Sequence, residues 1–184
     1  MIHNIRRMTG RVSSRAQSSA ERIARIVSAT EETERLERKA DRARLADGFS
    51  DVRVLLVGFD YDILFDIRQK LRSIGVAAAA SAPSVKQLDD AADMRLGFTH
   101  ILVNLDKFRD VEDGVDALIA FRSKSPDLIV VTFSEEVTGD DFGTERSPVC
   151  DATLRLPISK ERLAAGLRTA FLNHSDGHVK NLMA

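Results

Sequence analysis

The sequence predicts an α/β domain on a five-stranded, doubly wound parallel sheet, with an N-terminal helical extension. Two observations predict this class. Short apolar runs of four to six residues recur between Asp51 and Leu156 without polar alternation, as strands buried on both faces require. Between those runs, apolar residues return at helical spacing, which supplies the crossovers that parallel strands need.

The elements follow in order. Val52-Arg53-Val54-Leu55-Leu56-Val57 reads as the first strand. Ile63, Leu64, Ile67, Leu71 and Ile74 then share one helical face, which ends at Gly75. Val76 to Ala80 reads as a weak strand, and Ser84 to about Met94 as a helix capped by the serine. His100 to Asn104 is the third strand, Val111 to Phe121 a helix, and Leu128 to Val131 the fourth strand. Gly139, Gly143 and Pro148 in the polar stretch Glu135–Pro148 predict a short or missing fourth helix. Thr153 to Leu156 is the fifth strand, followed by Pro157 and a closing helix, Ser159 to Leu172, with Leu163, Leu167 and Phe171 inward.

Charge divides the chain further. Residues 1–20 hold Arg6, Arg7, Arg11 and Arg15 and no acid, residues 21–50 are neutral with seven acids and seven bases, and the remainder carries -5. The expected organisation is a basic, disordered N-terminus (1–17), a charged helix (18–47), the α/β domain (51–173) and a polar tail (174–184). Ser18 with Glu21 fits a capping box. The stripe Ile26, Ala29, Thr33, Leu36, Ala40 and Ala43 suits a solvated helix or a weak coiled-coil arm. Neither the balanced charge nor the 43% hydrophobic content argues for nucleic acid. One cysteine, Cys150, excludes an internal disulfide and reads as a small buried side chain rather than a nucleophile. No membrane span or signal peptide is expected.

In a doubly wound sheet, ligands bind outside the carboxyl ends of the strands where strand order reverses. Gly58-Phe59-Asp60, Asn104-Leu105-Asp106, Thr132-Phe133-Ser134 and Leu156-Pro157 should therefore converge. There is no GxGxxG and no P-loop lysine. His174, Asp176 and His178 surround Gly177 in what reads as a solvated tail rather than a metal site.

Over residues 51–173 this arrangement resembles the CheY-like receiver domain of bacterial response regulators. In that family two acids after strand one hold magnesium, an aspartate ending strand three accepts a phosphoryl group, a strand-four hydroxyl senses it, and a lysine before the strand-five proline pairs with it. Carried over, the acidic pair falls on Gly58 and Phe59, with Asp60 one place beyond. The acceptor falls on Asn104, the hydroxyl on Ser134 (Thr132 if the register shifts by two), the lysine on Leu156 and the strand-five aromatic on Thr153. The intervals are close to the family's: 45 residues from Phe59 to Asn104, then 30 to Ser134 and 52 to Leu156.

The resemblance implies a phosphorylation-independent pseudo-receiver, a signalling or scaffolding protein-interaction module in a bacterial cytoplasm. It implies no enzyme, no catalytic residue, no metal and no cofactor. Asn104 should chiefly hydrogen-bond the loop that follows it. The partner is expected to be a protein, with homodimerisation through the N-terminal helix or the helix-four/strand-five/helix-five face as a candidate. The rival is a phospho-accepting switch that uses Asp106, with Asp60 binding a cation, although no lysine is expected there. A third reading is a localisation factor whose basic N-terminus contacts membrane.

Overall fold

The computed structural model of the protein describes residues 48–88 and 97–182. The expected N-terminus, the charged helix and most of the second expected helix (residues 89–94) lie outside the described residues.

Five strands form one parallel sheet: β1 (Arg53–Val57), β2 (Ala78–Ala82), β3 (His100–Asn104), β4 (Ile129–Ser134) and β5 (Ala152–Arg155). Their spatial order is β2-β1-β3-β4-β5. The chain winds outward from β1 to β2, then returns past β1 to β3, so strand order reverses between β1 and β3. Among the described residues the α-helices are α1 (Tyr61–Ser73), α2 (Val111–Lys124) and α3 (Lys160–Leu182).

Side-chain alternation along the strands builds two cores. Val54, Leu56, Leu102, Val131, Phe133 and Leu154 face α1 and α3, where they meet Ile67, Leu71, Leu163 and Leu167. Leu55, Val57, Ile101, Val103 and Val130 face the other way, toward Leu118 and Phe121 of α2. Each fully buried leucine or isoleucine here contributes roughly 1.5–3 kcal/mol of apolar burial. On the first face α3 lies very near the sheet: a Cβ at Gly166 would fall 2.6 Å from Leu154 Cδ1. Only glycine permits that approach.

Capping chemistry sets several boundaries. Asp110 accepts from the Asp113 amide at 2.8 Å to begin α2. Ser84 forms a reciprocal capping box with Gln87, opening a 3-10 turn at Val85–Gln87. Gly75, at φ 89°, follows α1.

One expectation about the fold is corrected. The polar tail from residue 174 is instead helical, because α3 continues to Leu182. Its anchor is tertiary: His174 Nδ1 lies 3.4 Å from the buried Asp151 carboxylate, and the Asn173 amide donates to Asp151 O at 2.8 Å. The fourth helix, expected to be short or missing, is missing as an α-helix. Between β4 and β5 there is a 3-10 turn, Thr144–Arg146, but no α-helix. The segment straps the edge of β5 instead. Asp141 pairs antiparallel with Thr153 through two 2.8 Å backbone hydrogen bonds. Asp140 accepts from the Arg155 amide and from the Arg162 guanidinium, which holds its carboxyl below the ordinary value.

A buried ionic cluster lies at the amino end of the sheet. Asp151 accepts from Arg122 at 2.8 and 3.1 Å and from the Val130 amide at 2.8 Å. Burial pushes its carboxyl up, but hydrogen bonds from His174 and Arg122 outweigh this and leave it below the ordinary value. Near it, burial and His174 lower His100 from 6.5 to about 4, with Asp151 acting weakly in the opposite direction. Folded His100 therefore resists a proton that the unfolded chain accepts. Stability is intact above the unfolded value of 6.5 and falls as pH drops from 6.5 toward 4. By linkage the loss reaches about 2–3 kcal/mol at pH 4.5. We expect urea titrations at pH 7.5 and 4.5 to show that difference, reduced by about that amount in His100→Gln. Equal pH dependence in both proteins would refute the assignment.

Candidate functional site

The carboxyl ends of β1, β3, β4 and β5 lie side by side, as the register fixes. Val57 pairs with Val103, Asn104 with Phe133, and Ser134 with Arg155. Leu156 N donates to Ser134 O at 2.9 Å, which brings the fifth strand's end beside the fourth's. The residues singled out in the sequence therefore share one edge, but they do not share one function.

Gly58 and Phe59 belong to the packing. Gly58 has φ +75°, where L side chains are strained, and a Cβ there would fall 2.7 Å from Val85 Cγ1. An acid at this position would need both a new backbone conformation and a moved Val85. Phe59 is buried and packs edge-to-face on Phe133, with centroids 5.5 Å apart. Leu156 is buried in the same core. Three positions that the receiver resemblance would make ionic are thus apolar or closed.

Asn104 is 2% exposed, and its Oδ1 accepts from the Asp106 amide at 3.1 Å. It thereby caps a 3-10 turn, Leu105–Lys107. That turn sends its two charged side chains to opposite neighbours. Asp106 reaches β4: Ser134 Oγ donates to Oδ1 at 2.5 Å and the Glu135 amide to Oδ2 at 2.8 Å. Ser134 Oγ in turn accepts from the Glu136 amide at 3.0 Å. Lys107 reaches back toward β1, where Nζ lies 2.6 Å from Asp60 Oδ2. Asp60 is the N-cap residue of α1, yet its side chain makes no capping hydrogen bond and pairs with Lys107 instead.

Lys107 corrects the expectation that no lysine stands at this edge. It comes from the turn after β3, not from the end of β5, and partners an aspartate that is not buried. An ion pair this exposed contributes about 0–1 kcal/mol. Only tertiary contact reveals it, since Lys107 lies 47 residues from Asp60.

Deeper in the sheet, Thr132 and Thr153 are buried and their hydroxyls lie 2.9 Å apart. Thr132 is therefore an interior residue, and Ser134 is the hydroxyl at the strand end. Cys150 is buried beside both threonines, 3.6 and 3.5 Å from their hydroxyls.

No family model matches the chain, and no curated protein matches it. Solved structures do. A CheY-like receiver domain protein from Methanospirillum hungatei is 16% identical with a TM-score of 0.54, covering 68% of this chain and 98% of that one. A sensor protein from Polaromonas is 23% identical, TM-score 0.53, covering 67% and 98%. An orphan response regulator of H. pylori is 18% identical, TM-score 0.52, covering 66% and 98%. The fold of the described residues is that of the CheY-like receiver domain.

Asp106 is the latch between β3 and β4. Asp106→Ala removes the acceptor for a hydroxyl and an amide and should cost about 1–3 kcal/mol in chemical denaturation. Amide exchange should rise at Glu135 and Glu136. Unchanged stability and protection would show that the loop holds itself.

Proposed function

We propose that the chain is a pseudo-receiver: it uses the receiver scaffold as a phosphorylation-independent signalling or scaffolding module that binds a protein. The observation that carries this reading is the filling of the carboxyl edge. Phosphoryl transfer to a carboxylate needs a cation and a positive side chain to offset crowded negative charge. Phe59 and Leu156 are core residues here, and a carboxylate at position 58 would need a new backbone conformation and a moved Val85.

The displaced switch is disfavoured by the contacts of its own residues. Both Asp106 oxygens already accept hydrogen bonds from the β4 loop. Asp60 is already compensated by Lys107, so the two aspartates are not left as an open cation pair. Attack by Asp106 would require breaking the latch that orders the loop.

The dimer through a helix-four face finds no α-helix four among the described residues. The surface there is the strap from Asp140 to Arg146, joined to β5 and α3. A membrane role for the N-terminus remains a proposal about residues outside those described. Among the described residues, no helix is long and apolar enough to cross a membrane.

The reading is tested by magnesium titration of the ¹⁵N-labelled chain. The amides of Gly58, Asn104, Asp106, Lys107 and Ser134 should stay in place at millimolar magnesium. Saturable shifts confined to those amides would establish a cation site and sink the proposal.

A further inference from the structure

The two edges of the sheet differ. The β5 edge carries the antiparallel bridge from Asp141. At the other edge, β2 pairs with β1 alone among the described residues. Natural edge strands are usually blunted by charge, proline or a bulge. The β2 sequence, AAASA, has no charged residue and no proline. Alanine is also a poor strand former with little side chain to bury, so β2 has more than most strands to gain from a second neighbour.

A groove of about 450 Å³ runs beside this edge. One wall is α1, with Phe65, Arg68 and Arg72, and the other is the backbone leading into β2, Val76–Ala79. Tyr61, Phe65, Arg68 and Arg72 are spaced four, three and four residues apart, so they form one helical stripe. Tyr61 is 79% exposed and Phe65 56%. Arg68 donates to Ala79 O at 3.1 Å and approaches Ser81 Oγ at 3.5 Å, which puts its charge directly at the strand edge. No carboxylate pairs with Arg68 or Arg72 among the described residues. Asp66, the nearby acid, is ion-paired with Lys70 on the same helix.

We propose that this groove docks an extended acidic segment of a partner protein, added as a strand along β2. The inference rests on the reading of the chain as an interaction module and names its surface. Main-chain hydrogen bonds to β2 would supply the affinity, as in other strand additions, with Arg68 leaving Ala79 O for an incoming carboxylate. Alanine side chains let the incoming backbone approach. Arg68 and Arg72 select carboxylates at alternate positions, which share one face of the incoming strand, and Phe65 offers an apolar surface one helical turn beyond Arg68. The charge sets specificity and encounter rate more than total affinity.

The test uses the full chain and a fluorescein-labelled peptide of alternating glutamate and valine, followed by fluorescence polarisation. Saturable binding is expected, with affinity at least about tenfold lower for the matching lysine–valine peptide. Arg72→Glu should cost a similar factor. Arg72 makes no hydrogen bond to the strand, so this variant should keep its circular dichroism and melting temperature. Methylating alternate peptide amides should abolish binding, which a purely electrostatic contact would not show. The proposal is overturned by absent binding, by indifference to Arg72→Glu in a folded variant, or by indifference to amide methylation. Tighter binding of a single-stranded oligonucleotide at the same arginines would also overturn it, in favour of a nucleic-acid surface. None of these outcomes touches the magnesium titration, and a magnesium site would leave the peptide result standing, so the two readings fail separately.

Discussion

The turn at Asn104–Lys107 ties three strand ends together, and the rest of the carboxyl edge depends on how it does so. Asn104 is buried at the end of β3 and holds the turn's own backbone through the Asp106 amide. Asp106 reaches to β4 and Lys107 to the start of α1. Polar side chains at a buried strand end must be satisfied. Here Asn104 and Ser134 are satisfied by the turn and the loops beside them, and the exposed Asp60 is paired with Lys107.

Apolar packing completes the closure from beneath. Phe59 enters the core beside Phe133, Leu156 joins the same face, and Gly58 tightens the exit of β1 against Val85. The sheet is held by its two cores on either face and not by the polar side chains at this edge. The second polar centre makes the same point. Asp151, Arg122, His174 and His100 form a cluster at the opposite end of the strands, which ties α3 to the sheet and serves the framework.

How much of this was legible in the sequence differs from element to element. The strand runs and the helical face of α1 were legible because burial on two faces writes itself directly into apolar spacing. The intervals between Phe59, Asn104, Ser134 and Leu156 carried the receiver topology although no motif residue but a hydroxyl survived. The fate of α3 beyond Leu172 was not legible: the stretch is polar and holds Gly177, and the contacts of His174 and Asn173 with Asp151 are set by the fold. Lys107 was missed for a related reason: its partner is set by the fold, and an isolated lysine in a turn carries no signal. Nor could sequence decide which way Asp106 points.

The most direct test of this account is an intact-mass spectrum of the full chain after incubation with magnesium and a small-molecule phosphodonor, beside a receiver with an intact site. The account predicts a phosphoryl adduct on the control and none on this protein. An adduct on this chain that disappears in Asp106→Asn would contradict it, making the latch an acceptor and the protein a working switch.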